Sequence, residues 1–130
     1  MSVLASHTPR ILLVDDDPGL RQALEFRLGI EGFVVNSFES GEAVIQESAF
    51  PEWGCLVLDW RLPGLDGLQT LQRLRQRNVQ LPAILITSNP GSDLQAAAAA
   101  AGVPVVEKPL LTNELELQIE RLLAPQEDRE

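Results

Sequence analysis

Polar residues that could hold a cation and an anion follow four of the apolar runs in this sequence. Asp15 and Asp16 follow the first run, Asp59 and Thr87 each follow a later one, and Lys108 comes at the end of the last. Carboxylates that lie close together repel one another unless a cation joins them, and an open site with oxygen ligands suits Mg²⁺. An ammonium and a hydroxyl beside such an ion would bind phosphoryl oxygens, and a carboxylate there could act as a nucleophile.

The apolar runs have the length and composition of buried strands, and helical patterns separate them. Short, wholly apolar segments are typical of strands that are covered on both faces. We predict strands within residues 11–14, 33–35, 55–58, 83–86 and 103–106. The first helix is predicted to begin at Asp17 and Pro18 and to carry Leu20, Ala23, Leu24 and Leu28 on its inward face. The last helix is predicted to begin at Thr112 or Asn113.

This alternation predicts an α/β fold with five βα units and a parallel sheet covered on both faces. Right-handed crossovers reduce the topologies to a doubly wound sheet, and the flavodoxin-like strand order 2-1-3-4-5 is the commonest five-stranded solution. Ligands bind at the carboxyl ends of the strands in such sheets. The polar residues that follow the strands should therefore lie together at one edge.

Composition and charge exclude several classes of partner. The 130 residues carry a net charge of -9, and no basic cluster is present, so we predict no direct binding of nucleic acid. No apolar stretch approaches the length needed to cross a bilayer, and a membrane partner is not expected. The single cysteine, Cys55, lies in a predicted strand and cannot form an intrachain disulfide, which fits the reducing environment of the cytoplasm.

The domain boundaries follow from where the apolar runs begin and end. Residues 1–9 are predicted to be a flexible lead without the basic and apolar regions of a secretory signal. Residues 10–123 contain all the predicted strands and helices and are expected to form one domain. Residues 124–130 are predicted to be an acidic tail or the start of a linker.

Four motifs together resemble the receiver domain of two-component response regulators. They are ILLVDDDP at residues 11–18, LVLDWRLPGLDG at 56–67, ILITS at 84–88 and VVEKP at 105–109. Each motif alone is a weak signal, since two aspartates after a strand are common, but all four occur in order and in register with the predicted strands. The resemblance covers about residues 10–123, which is nearly the whole chain.

The resemblance implies a role for each polar residue in a Mg²⁺-dependent phosphoryl acceptor. Asp59 matches the aspartate that a sensor histidine kinase or a histidine phosphotransfer protein phosphorylates. Asp16 matches the direct Mg²⁺ ligand, Asp15 matches the aspartate that reaches the ion through water, and Asp59 is itself a ligand. Arg61 matches the position whose backbone carbonyl binds the metal.

Other expectations also come from the resemblance. Thr87 and Lys108 match the hydroxyl and the ammonium that hold the phosphoryl oxygens, and the peptide bond between Lys108 and Pro109 matches one that is typically cis. The resemblance implies a signalling protein that catalyses its own phosphorylation and slow dephosphorylation, not a metabolic enzyme. It also implies a face of helix 4, strand 5 and helix 5 through which two copies can pair.

The chain departs from the family pattern at the position three residues before the lysine. Receivers usually carry Tyr or Phe there, whereas this chain has Val105. The segment from Gly102 to Lys108 also looks one residue shorter than usual, and Leu110 stands where Phe is common. Valine is short and stiff. We therefore expect phosphoryl chemistry without a large rearrangement of the face formed by helix 4, strand 5 and helix 5.

Two other functions fit parts of the sequence. A small phosphatase would have an Asp-x-Asp nucleophile motif followed by a Thr or Ser and a Lys, and Asp15 and Asp17 offer that spacing, with Thr87 and Lys108 in the right order. However, Gly19 stands where such enzymes have Thr or Val, and no second pair of acids follows Lys108 at a later strand end. A flavodoxin-like cofactor-binding domain would need a phosphate-binding loop after the first strand, where three aspartates would repel the phosphate. Neither alternative explains why WRLPG follows Asp59.

Overall fold

The computed structural model describes residues 8–124. Five strands alternate with five helices along this part of the chain. They are β1 (Arg10–Val14), α1 (Pro18–Ile30), β2 (Val34–Phe38), α2 (Gly41–Ile45), β3 (Gly54–Asp59), α3 (Gly67–Gln76), β4 (Ala83–Thr87), α4 (Ser92–Ala101), β5 (Val105–Glu107) and α5 (Glu114–Leu122). The predicted lead, residues 1–9, and the predicted tail, residues 124–130, lie almost entirely outside the described residues.

All five strands form one parallel sheet in the order β2-β1-β3-β4-β5. The predicted fold class and strand order are therefore confirmed. β1 and β3 are neighbours, with Val14 beside Leu58, and β3 and β4 are neighbours, with Asp59 beside Ile86. This register brings the carboxyl ends of the three central strands to the same level at one edge of the sheet.

The predicted strand bounds differ most at β2. The apolar pattern predicted a strand at residues 33–35, whereas β2 spans Val34–Phe38 and continues through two polar residues. β2 is an edge strand, and its residues are at most partly buried, so polar side chains are compatible with backbone pairing to β1. Hydrophobicity alone could not reveal this continuation.

The helices cover both faces of the sheet and form two apolar cores. One core lies between the sheet and α2, α3 and α4; the other lies between the sheet and α1 and α5. Successive residues of a strand face alternate cores: in β1, Leu12 and Val14 face the first core, while Ile11 and Leu13 face the second. The predicted inward face of α1 is correct for its leucines but wrong for Ala23, which is exposed.

Local capping fixes where the helices begin. Asp17 is the N-cap of α1, and its side chain accepts hydrogen bonds from the amides of Gly19 and Leu20, as predicted. Asp66 and Gln69 form a reciprocal capping box at the start of α3. At α5 the N-cap position is Asn113, which makes no side-chain capping bond.

A close backbone contact joins β3 to α3. A Cβ atom at Gly67 would collide with the carbonyl oxygen of Asp59, so only glycine permits this approach. The Gly67 amide donates to the carbonyl of Trp60, which closes the intervening loop.

The peptide bond between Lys108 and Pro109 is cis, as expected. Within residues 8–124, no helix is both long enough and apolar enough to span a membrane.

Candidate functional site

Three carboxylates meet at the carboxyl edge of the sheet. Asp15, Asp16 and Asp59 each offer an oxygen, and these oxygens lie within 4.8 Å of one another. Asp15 and Asp59 are buried, with exposed fractions of 0% and 5%, whereas Asp16 is exposed. The cluster forms because β1 and β3 are adjacent in the sheet and the aspartates stand at or just beyond the ends of these strands.

Lys108 provides the positive charge of the site. Its Nζ donates to Oδ2 of Asp59 at 3.0 Å and to Oδ2 of Asp15 at 3.2 Å. The backbone of Lys108 is fixed by a bond of 2.7 Å from its amide to the carbonyl of Thr87. The lysine therefore extends from the end of β5 past β4 to reach both buried carboxylates.

The second oxygen of each buried carboxylate is held by its own loop. Oδ1 of Asp15 accepts from the Asp17 amide at 2.9 Å, and Oδ1 of Asp59 accepts from the Arg61 amide at 3.2 Å. These bonds leave each Oδ2 directed at Lys108. Because both oxygens of each group have partners, the carboxylates are fixed in orientation.

Burial and repulsion determine the proton affinities of the site. The pKa of Asp59 is raised to about 6, chiefly because of burial and also because of the charge of Asp15, although the bonds from Lys108 and from the Arg61 amide oppose the rise. Burial alone would lower the pKa of the Lys108 ammonium, but the bonds and charges of Asp59 and Asp15 outweigh burial and raise it. One ammonium thus leaves the carboxylates short of positive charge.

The residues present fit a hard divalent cation. The three carboxylates supply only oxygen ligands, and Asp16 lines an open groove of about 620 Å³ together with Trp60 and Arg61. Mg²⁺ favours oxygen ligands and keeps several waters, so an open edge with few protein ligands suits it better than a closed cage. The shortage of positive charge would be relieved by the ion.

Thr87 lies at the neighbouring strand end. It is buried at the last position of β4, and its hydroxyl accepts a hydrogen bond of 3.2 Å from the Asn89 amide. This bond uses an acceptor position of the hydroxyl, whose hydrogen is a separate donor. The structure thus brings Asp15, Asp16, Asp59 and Lys108 into one cluster, with Thr87 beside them on the central sheet.

Two arginines that the sequence did not indicate support this edge from α1. Nη1 of Arg21 donates to the carbonyl of Asp15 at 2.7 Å. Arg27 donates to two carbonyls in the loop between β5 and α5, those of Leu110 and Thr112. The spacing of Arg21, six residues after Asp15 in the first helix, is the only sequence signal that could have suggested the first contact.

The geometry does not favour the alternatives. In the Asp-x-Asp interpretation, Asp17 would assist the chemistry, but its side chain is exposed and caps α1. In the flavin interpretation, the loop after β1 would bind a phosphate, but it carries the acidic cluster instead. Neither interpretation assigns a role to Asp59, the buried carboxylate that Lys108 contacts at 3.0 Å.

Comparison with known proteins finds a family model and several relatives that match most of this chain. The family model of the response regulator receiver domain matches residues 11–120. The transcriptional regulatory protein FixJ of Bradyrhizobium diazoefficiens is 33% identical over 85% of this chain and 54% of its own length. The DNA-binding transcriptional regulator NtrC of Escherichia coli is 32% identical over 92% of this chain and 26% of its own length. The chain thus spans about half or less of these relatives.

Solved structures show the same fold. The structure of FixJ-N has a TM-score of 0.79 and 30% identity, and the match covers 88% of this chain and 92% of that one. Response regulator TrrA of Thermotoga maritima, solved in complex with Mg²⁺ and BeF, has a TM-score of 0.77 and 28% identity over 89% of this chain and all of that one.

Proposed function

Since the chain belongs to the receiver domain family of two-component response regulators, we propose that Asp59 is the residue that accepts the phosphoryl group. The observation that carries this proposal is the pair of bonds from Lys108 to Asp59 and Asp15, with Asp16 beside them. We assign residues 10–123 to the receiver domain, with 1–9 and 124–130 as flanking segments.

The proposed reaction is transfer of a phosphoryl group to one oxygen of Asp59. The carboxylate attacks phosphorus, an oxygen–phosphorus bond forms, and the bond from phosphorus to the donor's histidine nitrogen breaks as that imidazole takes up a proton. The negative charge of the carboxylate is thereby replaced by that of the phosphoryl oxygens. Lys108 has three N–H donors and Thr87 a hydroxyl hydrogen, and these groups would bind the phosphoryl oxygens.

We propose that the exposure of each aspartate determines whether it binds the metal directly or through a water. Asp16 faces the open groove and would be a direct ligand together with Asp59, while Asp15 is buried against Lys108 and would act through a water. The backbone carbonyl of Arg61 would complete the protein ligands. When bound, Mg²⁺ supplies positive charge against the developing charge on the phosphoryl oxygens.

Signalling, not turnover of a metabolite, is the proposed outcome. The acyl phosphate on Asp59 would be lost slowly to water in a reaction that the domain itself supports. The proposed donors are a sensor histidine kinase or a histidine phosphotransfer protein in the cytoplasm. Two copies would pair through the face formed by α4, β5 and α5, where Leu117 is half exposed, and the net charge of -9 argues against nucleic acid as a direct partner of this domain.

Phosphorylation by a small donor tests the assignment. With acetyl phosphate and Mg²⁺, the wild-type chain should gain one phosphoryl group by intact mass, and chelation of Mg²⁺ should abolish the gain. Asp59→Asn should gain none, whereas Asp93→Asn, which changes an exposed aspartate on α4, should behave as wild type. A phosphoryl group that persists in Asp59→Asn and maps to another aspartate would overturn the proposal.

A further inference from the structure

Arg27 on α1 donates hydrogen bonds both to α5 and to the loop that precedes α5. Its Nε and Nη2 contact the Glu116 carboxylate on α5 at 2.8 to 3.1 Å. Its Nη1 donates to the carbonyl of Leu110 at 2.6 Å, and its Nη2 donates to the carbonyl of Thr112 at 3.1 Å. The planar guanidinium thus holds one helix and two points of one loop at the same time.

The loop that Arg27 holds is otherwise anchored by Leu110, which packs against the core beneath α1 and α5, and by the Thr112 hydroxyl, which accepts a bond of 3.3 Å from the Glu114 amide. It runs from Pro109 to Asn113, and Leu111 at its centre is 85% exposed. Asn113, the N-cap of α5, makes no side-chain capping bond. Two of the loop's carbonyls are bound by the same guanidinium, so Arg27 ties the path of this loop directly to α1.

The ion pair with Glu116 holds the Arg27 guanidinium in place. This glutamate is 8% exposed, and Arg27 is the partner that its carboxylate contacts. A buried charge left without its partner is strongly destabilising, so the guanidinium cannot swing into solvent without a large cost. The pair therefore locks α1, α5 and the loop into one arrangement.

The loop begins directly after the lysine of the site. Leu110 follows Lys108 by two residues, and Nζ of Lys108 lies 3.0 Å from Asp59 and 3.2 Å from Asp15. We propose that Arg27 is a positioning residue for phosphoryl transfer: it fixes the loop after β5 and thereby holds the Lys108 ammonium at the two carboxylates. This inference rests on the proposed function, in which Lys108 binds the phosphoryl oxygens.

The first test measures the rate of Mg²⁺-dependent phosphorylation of Asp59 by acetyl phosphate. Arg27→Gln should be about tenfold slower, because small misplacements of a charged group near the reaction cost rate steeply. Arg27→Lys keeps a charge beside Glu116 but cannot bind Glu116 and both loop carbonyls as a fork, so it should remain folded and also be slower. Arg121→Gln, which changes an exposed arginine on α5, should match wild type.

A double-mutant cycle separates positioning from general stability. If Arg27 acts through Lys108, Arg27→Gln should slow wild type but cause no further slowing in a Lys108→Ala background. Equal slowing in both backgrounds, or a wild-type rate in both Arg27 variants, would overturn the inference while leaving the assignment of Asp59 intact. Circular dichroism checks that each variant is folded at the assay temperature.

A second readout does not require phosphorylation. Lys108 is the only lysine of the chain, so ¹⁵N-lysine labelling gives a single side-chain ammonium signal. In metal-free wild type this signal should be protected from exchange with water, and in Arg27→Gln it should exchange faster, together with the amides of residues 110–113. An unchanged ammonium signal and unchanged loop exchange would contradict the positioning role even if phosphorylation of Asp59 itself failed.

Discussion

Lys108 reaches Asp59 across an intervening strand. β4 lies between β3 and β5 in the sheet, yet Nζ of Lys108 is 3.0 Å from Oδ2 of Asp59. A lysine side chain can span this distance because its four-carbon stem extends along the strand ends. The contact links the central strand β3 to the edge strand β5, so the protonation and metal binding of Asp59 depend on the positions of both strands.

Neutralising Asp59 should stabilise the metal-free protein. Asp59→Asn removes one of two buried carboxylates that repel each other, and we expect the free energy of unfolding to rise by about 1 kcal/mol. Saturating Mg²⁺ should stabilise wild type but much less the variant, because the variant has lost a ligand. Urea unfolding with chelator and with Mg²⁺ measures both effects, with Glu120→Gln as an exposed control. If metal-free Asp59→Asn is less stable than wild type, the repulsion between the two buried carboxylates does not determine the effect of the substitution.

Trp60 should report metal binding by fluorescence. It lines the groove beside Asp16, whereas Trp53 lies in the loop before β3 and is 42% exposed. Mg²⁺ should change the emission of wild type and leave Trp60→Phe almost unchanged. The affinity for Mg²⁺ should fall by about tenfold or more in Asp16→Ala, and less in Asp15→Ala. Equal losses in the two variants would contradict the division between a direct and a water-mediated ligand.

Cys55 should be chemically inert in the folded protein. Burial raises the pKa of its thiol to about 12, and its side chain has no exposed surface. A thiol-specific reagent at pH 8 should label the protein only after unfolding in urea. The neutral thiol contributes stability that is fully present below pH 9 and is lost as the pH rises toward 12, because the unfolded chain ionises first. Cys55→Ala should lack this part of the pH profile; rapid labelling of native protein would show that the strand opens.

The response to phosphorylation should be small at the face formed by α4, β5 and α5. Val105 is partly buried against the core cluster that includes Leu94 and Ala98, and its short side chain cannot exchange a buried position for a distant exposed one. Backbone chemical shifts of the free protein and its beryllofluoride complex should differ mainly near Thr87 and the loop that follows β4. A concerted shift across the whole face, with Val105 becoming fully buried, would contradict this expectation. A difference in partner affinity between the two states can still carry the signal.

The sequence was sufficient to predict the sheet and the cluster of site residues. Asp15, Asp59 and Lys108 could be placed together because apolar runs locate the strands and parallel strands share one carboxyl edge. The contacts of Arg21 and Arg27 could not be predicted, since their partners include backbone carbonyls, which every residue offers and no side-chain pattern identifies. Edge pairing likewise extended β2 beyond its apolar residues.

The contact between Gly67 and the carbonyl of Asp59 has a consequence for protein design. A designer who transfers this acidic cluster to another α/β sheet would naturally copy the carboxylates and the lysine. The backbone of β3, however, approaches the first turn of α3 so closely that a single added carbon would push the two apart. The glycine, which contributes no side chain, must therefore be transferred with the aspartate as one unit.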